Sequence, residues 1–247
     1  QKTAYEIMPS LVGSEMCIRD RIKSGENFDV IIHLGFSSKS TKIRFEKYAY
    51  NGYKMSKSDN SGRCISNEKI IDNQKGRYQT NIDFSLLNYE FEIESNIEWS
   101  EDPGRYICNE TYFNTLNAIN ENSINSDTKV LFVHLPSEFI LDISKQIEII
   151  TRLIKCMTKP YIEVVGGVIF DGGNKILSCR RPKGKSWASW WEFPGGKIEF
   201  GETPQIALSR ELKEELSLNV APSKIIIEQL FNYEDKYIKL IILKILI

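Results

Sequence analysis

The feature that most constrains this sequence is an acidic run near its C-terminal end, GKIEFGETPQIALSRELKEELSL, which begins at Gly196. Within it, Glu214 and Glu215 follow Glu211 by three and four residues, so a helix would gather the three carboxylates on one side within about one turn. Like charges this close repel each other, and a hard divalent cation such as Mg²⁺ or Mn²⁺ relieves that repulsion with oxygen ligands. The spacing therefore predicts a metal-carboxylate helix.

The residues around the acidic run fit this helix. Pro204 suits the first helical turn after Thr203, where its missing N–H costs nothing. Glu202 and Arg210 bracket the helix start, and a charge-assisted pair between them would fix the preceding loop on the helix. The packed face is supplied by four apolar residues: Ala207, Leu208, Leu212 and Leu216. The competing interpretation is an ordinary exposed helix rich in Glu and Lys, which the combined spacing disfavours.

The same positions resemble the signature of the Nudix hydrolases, specifically the MutT-like branch. One position departs from it, because Ser217 stands where the family has a glycine that ends the helix. The resemblance extends upstream through VVGGVIFDGGNKILSCRRP and SWWEFPGGKIEFGE. By this resemblance the metal ligands are Gly196, Glu211, Glu214 and Glu215. The residues that it assigns to nucleotide binding are Arg181, Glu192, Phe193 and Lys197.

The implied reaction is the metal-dependent hydrolysis of a nucleoside triphosphate or oxidised nucleotide, like that of an 8-oxo-dGTP diphosphatase. The products would be a monophosphate and pyrophosphate. Glu214 and Glu215 would be ligands of Mg²⁺ or Mn²⁺, with Glu211 as a ligand or a base. The family often adds another acidic residue from a later loop, and we expect this Nudix-like part to be truncated before that loop.

A second set of residues lies in DPGRYICNETYFNTL, residues 102–116, and LFVHLP, residues 131–136. These segments resemble pyroglutamyl peptidase type I, a cysteine peptidase that removes N-terminal pyroglutamate. The resemblance implies that Cys108 is the nucleophile at a helix start, a position that stabilises a thiolate. It also implies that His134 is the base and that Glu46, in KIRFEKYAYN, orients it, as in other nucleophilic triads.

This second resemblance has departures. The family's glycine-rich run is GFSSKS here, and Ser56 stands where the family has an arginine near the substrate. The family's first strand and aromatic pocket precede the residues present, so we expect an N-terminally truncated domain. Two alternatives stay open, an active cysteine peptidase and a catalytically dead scaffold fused to the hydrolase. His33 lies within an apolar run and is predicted to be structural.

Three segments organise the chain. Residues 1–21 resemble the conceptual translation of a sequencing adapter, which predicts natural sequence from Ile22 onwards. Residues 22–159 are predicted to form the peptidase-like domain, for which the resemblance implies a truncated three-layer α/β fold. Residues 160–247 are predicted to form the Nudix domain, for which it implies a truncated mixed-sheet α/β fold. The join near Pro160 is either a natural fusion or an error of assembly.

Strands and helices follow from hydrophobic periodicity. The predicted strands are Phe28–Leu34, Ile43–Tyr50 and Val130–Val133. Helical spacing marks Ile107–Ile119 and Ile143–Met157. The second helix is predicted to pack through Ile147, Ile150, Leu153, Ile154 and Met157.

Composition limits the partners. The net charge of −1 offers no basis for binding nucleic acid or an anionic membrane. No apolar run approaches the roughly 20 residues that cross a bilayer. Five scattered cysteines without metal-ligand spacing favour a reduced, cytoplasmic setting. The partner that the sequence predicts is a nucleotide substrate, and it carries no signal for an oligomeric state.

Overall fold

Two units make up this computed structural model, residues 1–158 and residues 159–247. The structure describes residues 14–59, 62–121, 127–171, 173, 175–184 and 187–246, with side chains from residue 18 onwards. The adapter interpretation therefore falls largely on residues 1–13, which lie outside the described residues. No described helix is both long and apolar enough to cross a membrane.

A four-stranded mixed sheet in the order β1-β6-β2-β5 forms the centre of the first unit, and a separate two-stranded pair joins β3 to β4. β6 runs parallel to β1 and antiparallel to β2, which runs parallel to β5. The strands are β1 (Val30–Phe36), β2 (Ile43–Glu46), β3 (Tyr48–Tyr50), β4 (Arg77–Gln79), β5 (Ile97–Ser100) and β6 (Lys129–Leu135).

Helices cover both faces of this sheet. They are α1 (Ser14–Lys23), α2 (Phe84–Glu90), α3 (Ile107–Glu121) and α4 (Ile143–Thr158). On one face, Val130 and Phe132 of β6 pack with Tyr112 and Leu116 of α3. The alternate residues of β6, Leu131 and Val133, are also buried, because side chains alternate along a strand. Because side chains on both faces of β6 are buried, the sheet lies between two layers of helices, as the predicted three-layer arrangement requires.

The predicted strand over Ile43–Tyr50 is divided in the structure. At Lys47 the chain leaves the large sheet, and the backbone of Lys47 bonds to Ser100 on one side and to Thr80 on the other. β2 stays in the four-stranded sheet, whereas β3 pairs with β4. The division puts Glu46 at the end of β2, next to β6.

The buried face of α4 differs from the predicted one. Leu153 and Met157 are buried as predicted, whereas Ile147 and Ile154 are 60% and 46% exposed. The remaining buried positions are Gln146, Ile149 and Cys156. The apolar residues cover about half of the helix surface and the sheet buries only one edge of that arc, so the predicted stripe is rotated by about a fifth of a turn from the true one.

The second unit contains a four-stranded mixed sheet in the order β10-β7-β12-β11. β7 runs parallel to β12 and antiparallel to β10, and β12 runs antiparallel to β11. A short pair, β8 and β9, stands apart from it. The strands are β7 (Tyr161–Phe170), β8 (Cys179–Arg180), β9 (Trp191–Glu192), β10 (Gly195–Lys197), β11 (Lys224–Asn232) and β12 (Tyr237–Leu246).

Helix α5 (Pro204–Leu216) lies on one face of this sheet. It begins as predicted, with Thr203 as N-cap and Pro204 in the first turn. Its fully buried residues are Ala207, Leu208 and Leu212, which pack against Val165, Ile169, Ile241, Leu243 and Ile245 of β7 and β12. The helix ends at Ser217, whose φ of 55° is the left-handed conformation that glycine adopts more readily.

Candidate functional site

Arg210 fixes the loop before α5 onto the helix. Its Nε and Nη2 donate to the two carboxylate oxygens of Glu202 at 2.8 and 2.9 Å. Nη2 also donates to the carbonyl oxygen of Lys197 at 3.0 Å. The hydrogen bonds from Arg210 and from the Glu199 N–H lower the pKa of Glu202 to about 2, and those with Glu202 and Glu211 raise the pKa of Arg210. The predicted charge-assisted pair is therefore present.

The Glu211 carboxylate lies directly against Gly196 of β10. A Cβ at Gly196 would lie 2.3 Å from the Glu211 carboxyl carbon, so only glycine leaves room for this side chain. Arg210 Nη1 donates to Glu211 at 2.8 Å and lies 3.6 Å from Glu214. Glu211 is half-buried, whereas Glu214 and Glu215 are exposed.

The carboxylates of Glu211, Glu214 and Glu215 lie on one side of α5, but they do not come together around a single point. Among the residues that the structure describes, no group of three His, Cys, Asp or Glu side chains is close enough to hold a metal ion. The donor set nevertheless fits a hard divalent cation, because carboxylate oxygens are its preferred ligands. The space at Gly196 that a Cβ would fill borders one of those carboxylates.

A pocket of about 510 Å³ brings the predicted nucleotide residues together. Its lining includes Arg181, Glu192, Phe193 and Lys197, and also Gly196. Arg181 donates through Nε to the Glu192 carboxylate, so the two side chains form an ion pair at the pocket wall.

Apolar residues of the sheet form the floor of this pocket, and the sequence did not single them out. Val164 and Gly166 come from β7, and Leu240 and Ile242 come from β12. Their neighbours in sequence pack under α5, so the pocket opens on the opposite face of the sheet. In the sequence, the apolar residues at alternate positions of β7 and β12 are the feature that could have predicted this floor.

The pocket wall is electrostatically joined to α5. Burial raises the pKa of the Cys179 thiol, and the nearby carboxylates of Glu215 and Glu192 raise it further. Cys179 is paired with Glu192 across β8 and β9. Glu215, one of the predicted metal ligands, therefore lies near the strand pair that contains Glu192 and precedes Arg181.

The first unit assembles the predicted triad. His134 Nδ1 lies 2.7 Å from Glu46 Oε1, and both side chains are buried. Burial lowers the pKa of His134, but hydrogen bonds with Cys108 and Glu46 outweigh it and raise the pKa to about 9. The backbone of Glu46 is held by the Tyr112 hydroxyl, which donates to its carbonyl oxygen at 3.0 Å.

Cys108 lies in the first turn of α3, beside Gly35 of β1. A Cβ at Gly35 would lie 3.2 Å from the Cys108 sulfur and 2.8 Å from the Phe132 ring, so glycine leaves room for the thiol. His33, which is predicted to be structural, is buried. It lies 3.1 Å from the Thr115 hydroxyl, and burial lowers its pKa to about 4.

The residue after Cys108 anchors β3 and was not singled out from the sequence. The Asn109 amide accepts from the Tyr50 N–H at 2.7 Å and donates to the Tyr50 carbonyl at 2.8 Å. The Asn109 side chain thus bonds both backbone groups of Tyr50, as a residue of a neighbouring strand would. Its signal in the sequence is only its place beside Cys108, because the partner strand is 59 residues away.

Comparison with known proteins matches each unit to a family. Residues 160–240 match the model of the NUDIX domain, and residues 3–152 match the model of pyroglutamyl peptidase. The 8-oxo-dGTP diphosphatase of Proteus vulgaris is 37% identical over 84 residues, which cover 34% of this chain and 75% of that protein. The chain belongs to the Nudix and pyroglutamyl peptidase families. Both predicted resemblances are thereby confirmed.

The peptidase unit has relatives of known sequence and structure. The pyrrolidone-carboxylate peptidase of Thermosipho melanesiensis is 28% identical over 131 residues, which cover 52% of this chain and 63% of that protein. A mutant pyrrolidone carboxyl peptidase from Pyrococcus furiosus superposes with a TM-score of 0.51 at 18% identity, covering 60% of this chain and 76% of that structure. This likeness shows the fold of the peptidase unit.

The comparisons also bear on the other predictions. The fold class, a peptidase-like α/β unit followed by a Nudix unit, is confirmed. The adapter interpretation of residues 1–21 finds no support, because the pyroglutamyl peptidase match begins at residue 3. In the described part of that stretch, Ile18 packs against the core that includes Tyr112 and Leu116 of α3.

Proposed function

We propose that the Nudix unit hydrolyses a nucleoside triphosphate, or an oxidised one such as 8-oxo-dGTP, to the monophosphate and pyrophosphate. One observation carries this proposal: a single pocket contains Arg181, Glu192, Phe193 and Lys197 together with Gly196, against which Glu211 lies. The activity named for the Proteus vulgaris relative supports the choice of substrate.

The residues divide into two groups in this proposal. Phe193 and the Arg181–Glu192 pair face the base, and Lys197 neutralises phosphate charge. Glu214 and Glu215 hold Mg²⁺ or Mn²⁺, while Glu211 is a further ligand or accepts the proton of the attacking water. When bound, the cation lowers the pKa of water and offsets the charge on the phosphates.

The bond changes follow from this arrangement. The water oxygen forms a bond to phosphorus, and the bridging P–O bond breaks to release pyrophosphate. The proton of the water passes to a carboxylate of α5. Arg210 takes part indirectly, because it holds both Glu202 and Glu211 and so keeps the loop between β10 and α5 against the helix.

The direct test is to incubate the 247-residue chain with 8-oxo-dGTP and the ordinary nucleoside triphosphates, with Mg²⁺, with Mn²⁺ and with a chelator. We expect equal amounts of monophosphate and pyrophosphate with a divalent cation and neither product with the chelator. Release of orthophosphate in place of pyrophosphate, or turnover that the chelator leaves unchanged, would contradict the proposal.

The triad favours a second candidate, removal of N-terminal pyroglutamate by the peptidase unit. Its support is the chain of contacts from Cys108 to His134 to Glu46, with 2.7 Å between the last two. A thiol hydrogen-bonded to a carboxylate-oriented imidazole is the arrangement that activates cysteine nucleophiles.

A fluorogenic pyroglutamyl amide tests this candidate. Cleavage that is lost in Cys108→Ser and kept in Cys64→Ser, a change at an exposed thiol, would support a peptidase. No cleavage by the unmodified chain would favour the alternative, in which the peptidase unit is a scaffold. This assay is independent of the Nudix unit, so either function stands or falls alone.

A further inference from the structure

Three indole rings stand exposed around the β8–β9 connection, two of them on the loop (Trp187 and Trp190) and one at the start of β9 (Trp191). Trp187, Trp190 and Trp191 are 65%, 64% and 68% exposed. Tryptophan is the side chain with the largest apolar surface, and clustered exposure of this kind marks a binding surface. Two of the rings, Trp187 and Trp190, contact each other edge to face with their centroids 5.4 Å apart.

The backbone that presents these rings is held in an uncommon conformation. Trp187 and Ser189 have φ of 63° and 72°, in the left-handed region that residues other than glycine rarely occupy. The Arg181 N–H donates to the Trp190 carbonyl at 2.9 Å, and the Ser189 N–H donates to the Arg181 carbonyl at 3.0 Å. Two residues thus oppose one, which is a bulge that re-aims the side chain after it, Trp190.

The strand geometry separates the three rings into two groups. Side chains two residues apart share a face of a strand, so Trp190 lies on the face of Glu192. Trp190 is also paired through its backbone with Arg181, and Arg181 and Glu192 both line the 510 Å³ pocket. Trp191 lies on the opposite face, where it is paired with Arg180.

We propose that Trp187 and Trp190 form a platform at the rim of the pocket on which the nucleobase of the substrate stacks. The platform continues the pocket wall formed by Arg181 and Glu192, and Lys197 supplies the positive charge for the phosphates. Every nucleobase has a planar π-face that stacks on an indole. This proposal deepens the proposed function of the Nudix unit and rests on it for the nature of the ligand.

The test compares Trp190→Ala with Trp191→Ala, a matched change at an equally exposed indole on the other face. Binding to the 247-residue chain is measured by calorimetry with two probes, a non-hydrolysable α,β-methylene nucleoside triphosphate and inorganic tripolyphosphate, which has no base. Stacking on one aromatic ring contributes roughly 5- to 150-fold in affinity. We expect a loss in this range for Trp190→Ala with the nucleotide analogue alone, and less than about 2-fold for Trp191→Ala.

Trp190→Phe separates stacking from a structural role, because phenylalanine keeps an aromatic face and should restore affinity to within about 3-fold. Equal losses for both probes, equal losses in both alanine variants, or no binding of the analogue by the unmodified chain would overturn the platform. Because binding is measured without turnover, a chain that stacks the analogue yet releases no pyrophosphate keeps the platform and refutes the proposed hydrolysis.

Discussion

The pKa values of the two histidines in the peptidase unit are expected to lie on opposite sides of 6.5, the ordinary pKa of histidine. The chain contains two histidines in all, so a histidine-labelled sample gives two imidazole signals in NMR. Burial lowers the pKa of His33 to about 4. Burial also lowers the pKa of His134, but its hydrogen bonds with Cys108 and Glu46 outweigh this effect and raise the pKa to about 9.

The magnitude follows from linkage. A difference of one pKa unit corresponds to 1.36 kcal/mol, so the rise from 6.5 to about 9 corresponds to about 3 kcal/mol for His134. A raised pKa means that this stabilisation is complete below pH 6.5 and is lost as the pH rises towards 9. For His33 the sign is opposite, and stability is lost as the pH falls from 6.5 towards 4. The peptidase unit should therefore be most stable near pH 6.5.

Glu46→Gln removes the charge that lies 2.7 Å from His134. We expect the pKa of His134 to fall from about 9 towards 6.5 or below, because burial continues to oppose protonation. His33 should stay near 4 and serves as an internal control. A second control, Glu101→Gln at an exposed carboxylate, should move neither signal. Titration of His134 near 6.5 in the unmodified chain, or no change in Glu46→Gln, would refute the reasoning.

Three further substitutions, one of them with a matched control, test local parts of the structure. Ser217→Gly should raise the free energy of unfolding in urea by about 0.5–1 kcal/mol, because glycine adopts the left-handed φ without steric cost; an unchanged midpoint contradicts this. Gly196→Ala places a methyl group against the Glu211 carboxylate and should weaken Mn²⁺ binding, followed by calorimetry, about 10- to 100-fold with little change in stability. Asn109→Ala leaves two half-buried backbone groups of Tyr50 in β3 unpaired and should lower the free energy of unfolding by about 1–3 kcal/mol. Asn120→Ala, at the exposed end of the same helix, should cost less than about 1 kcal/mol.

The local features of α5 were predictable because they depend on near neighbours in sequence. The N-cap at Thr203, the proline after it and the Glu202–Arg210 pair all lie within nine residues, where helical geometry determines which side chains meet. The triad was predictable for another reason. Its members are up to 88 residues apart, and only the resemblance to a family joined them.

Features that depend on tertiary packing could not be predicted from the sequence. The packed face of α4 was misplaced because its apolar residues cover a wider arc of the helix than the structure buries, and only tertiary packing determines which of them are buried. The role of Asn109 depends on β3, a strand of three residues. The exposure of Trp187 and Trp190 depends on a bulge at Ser189, where the sequence offers no glycine to indicate one. The domain limits at residues 22–159 and 160–247 stay a prediction.

The central claim is that the carboxylates of α5 hold the divalent cation on which pyrophosphate release depends. The most direct measurement is pyrophosphate release by the Glu214→Gln, Glu215→Gln double variant over a titration of Mg²⁺, beside Glu234→Gln as an exposed control in the turn after β11. We predict a loss of about 100-fold or more in the double variant at every Mg²⁺ concentration and full activity in the control. Turnover and Mg²⁺ dependence equal to those of the unmodified chain would contradict the claim.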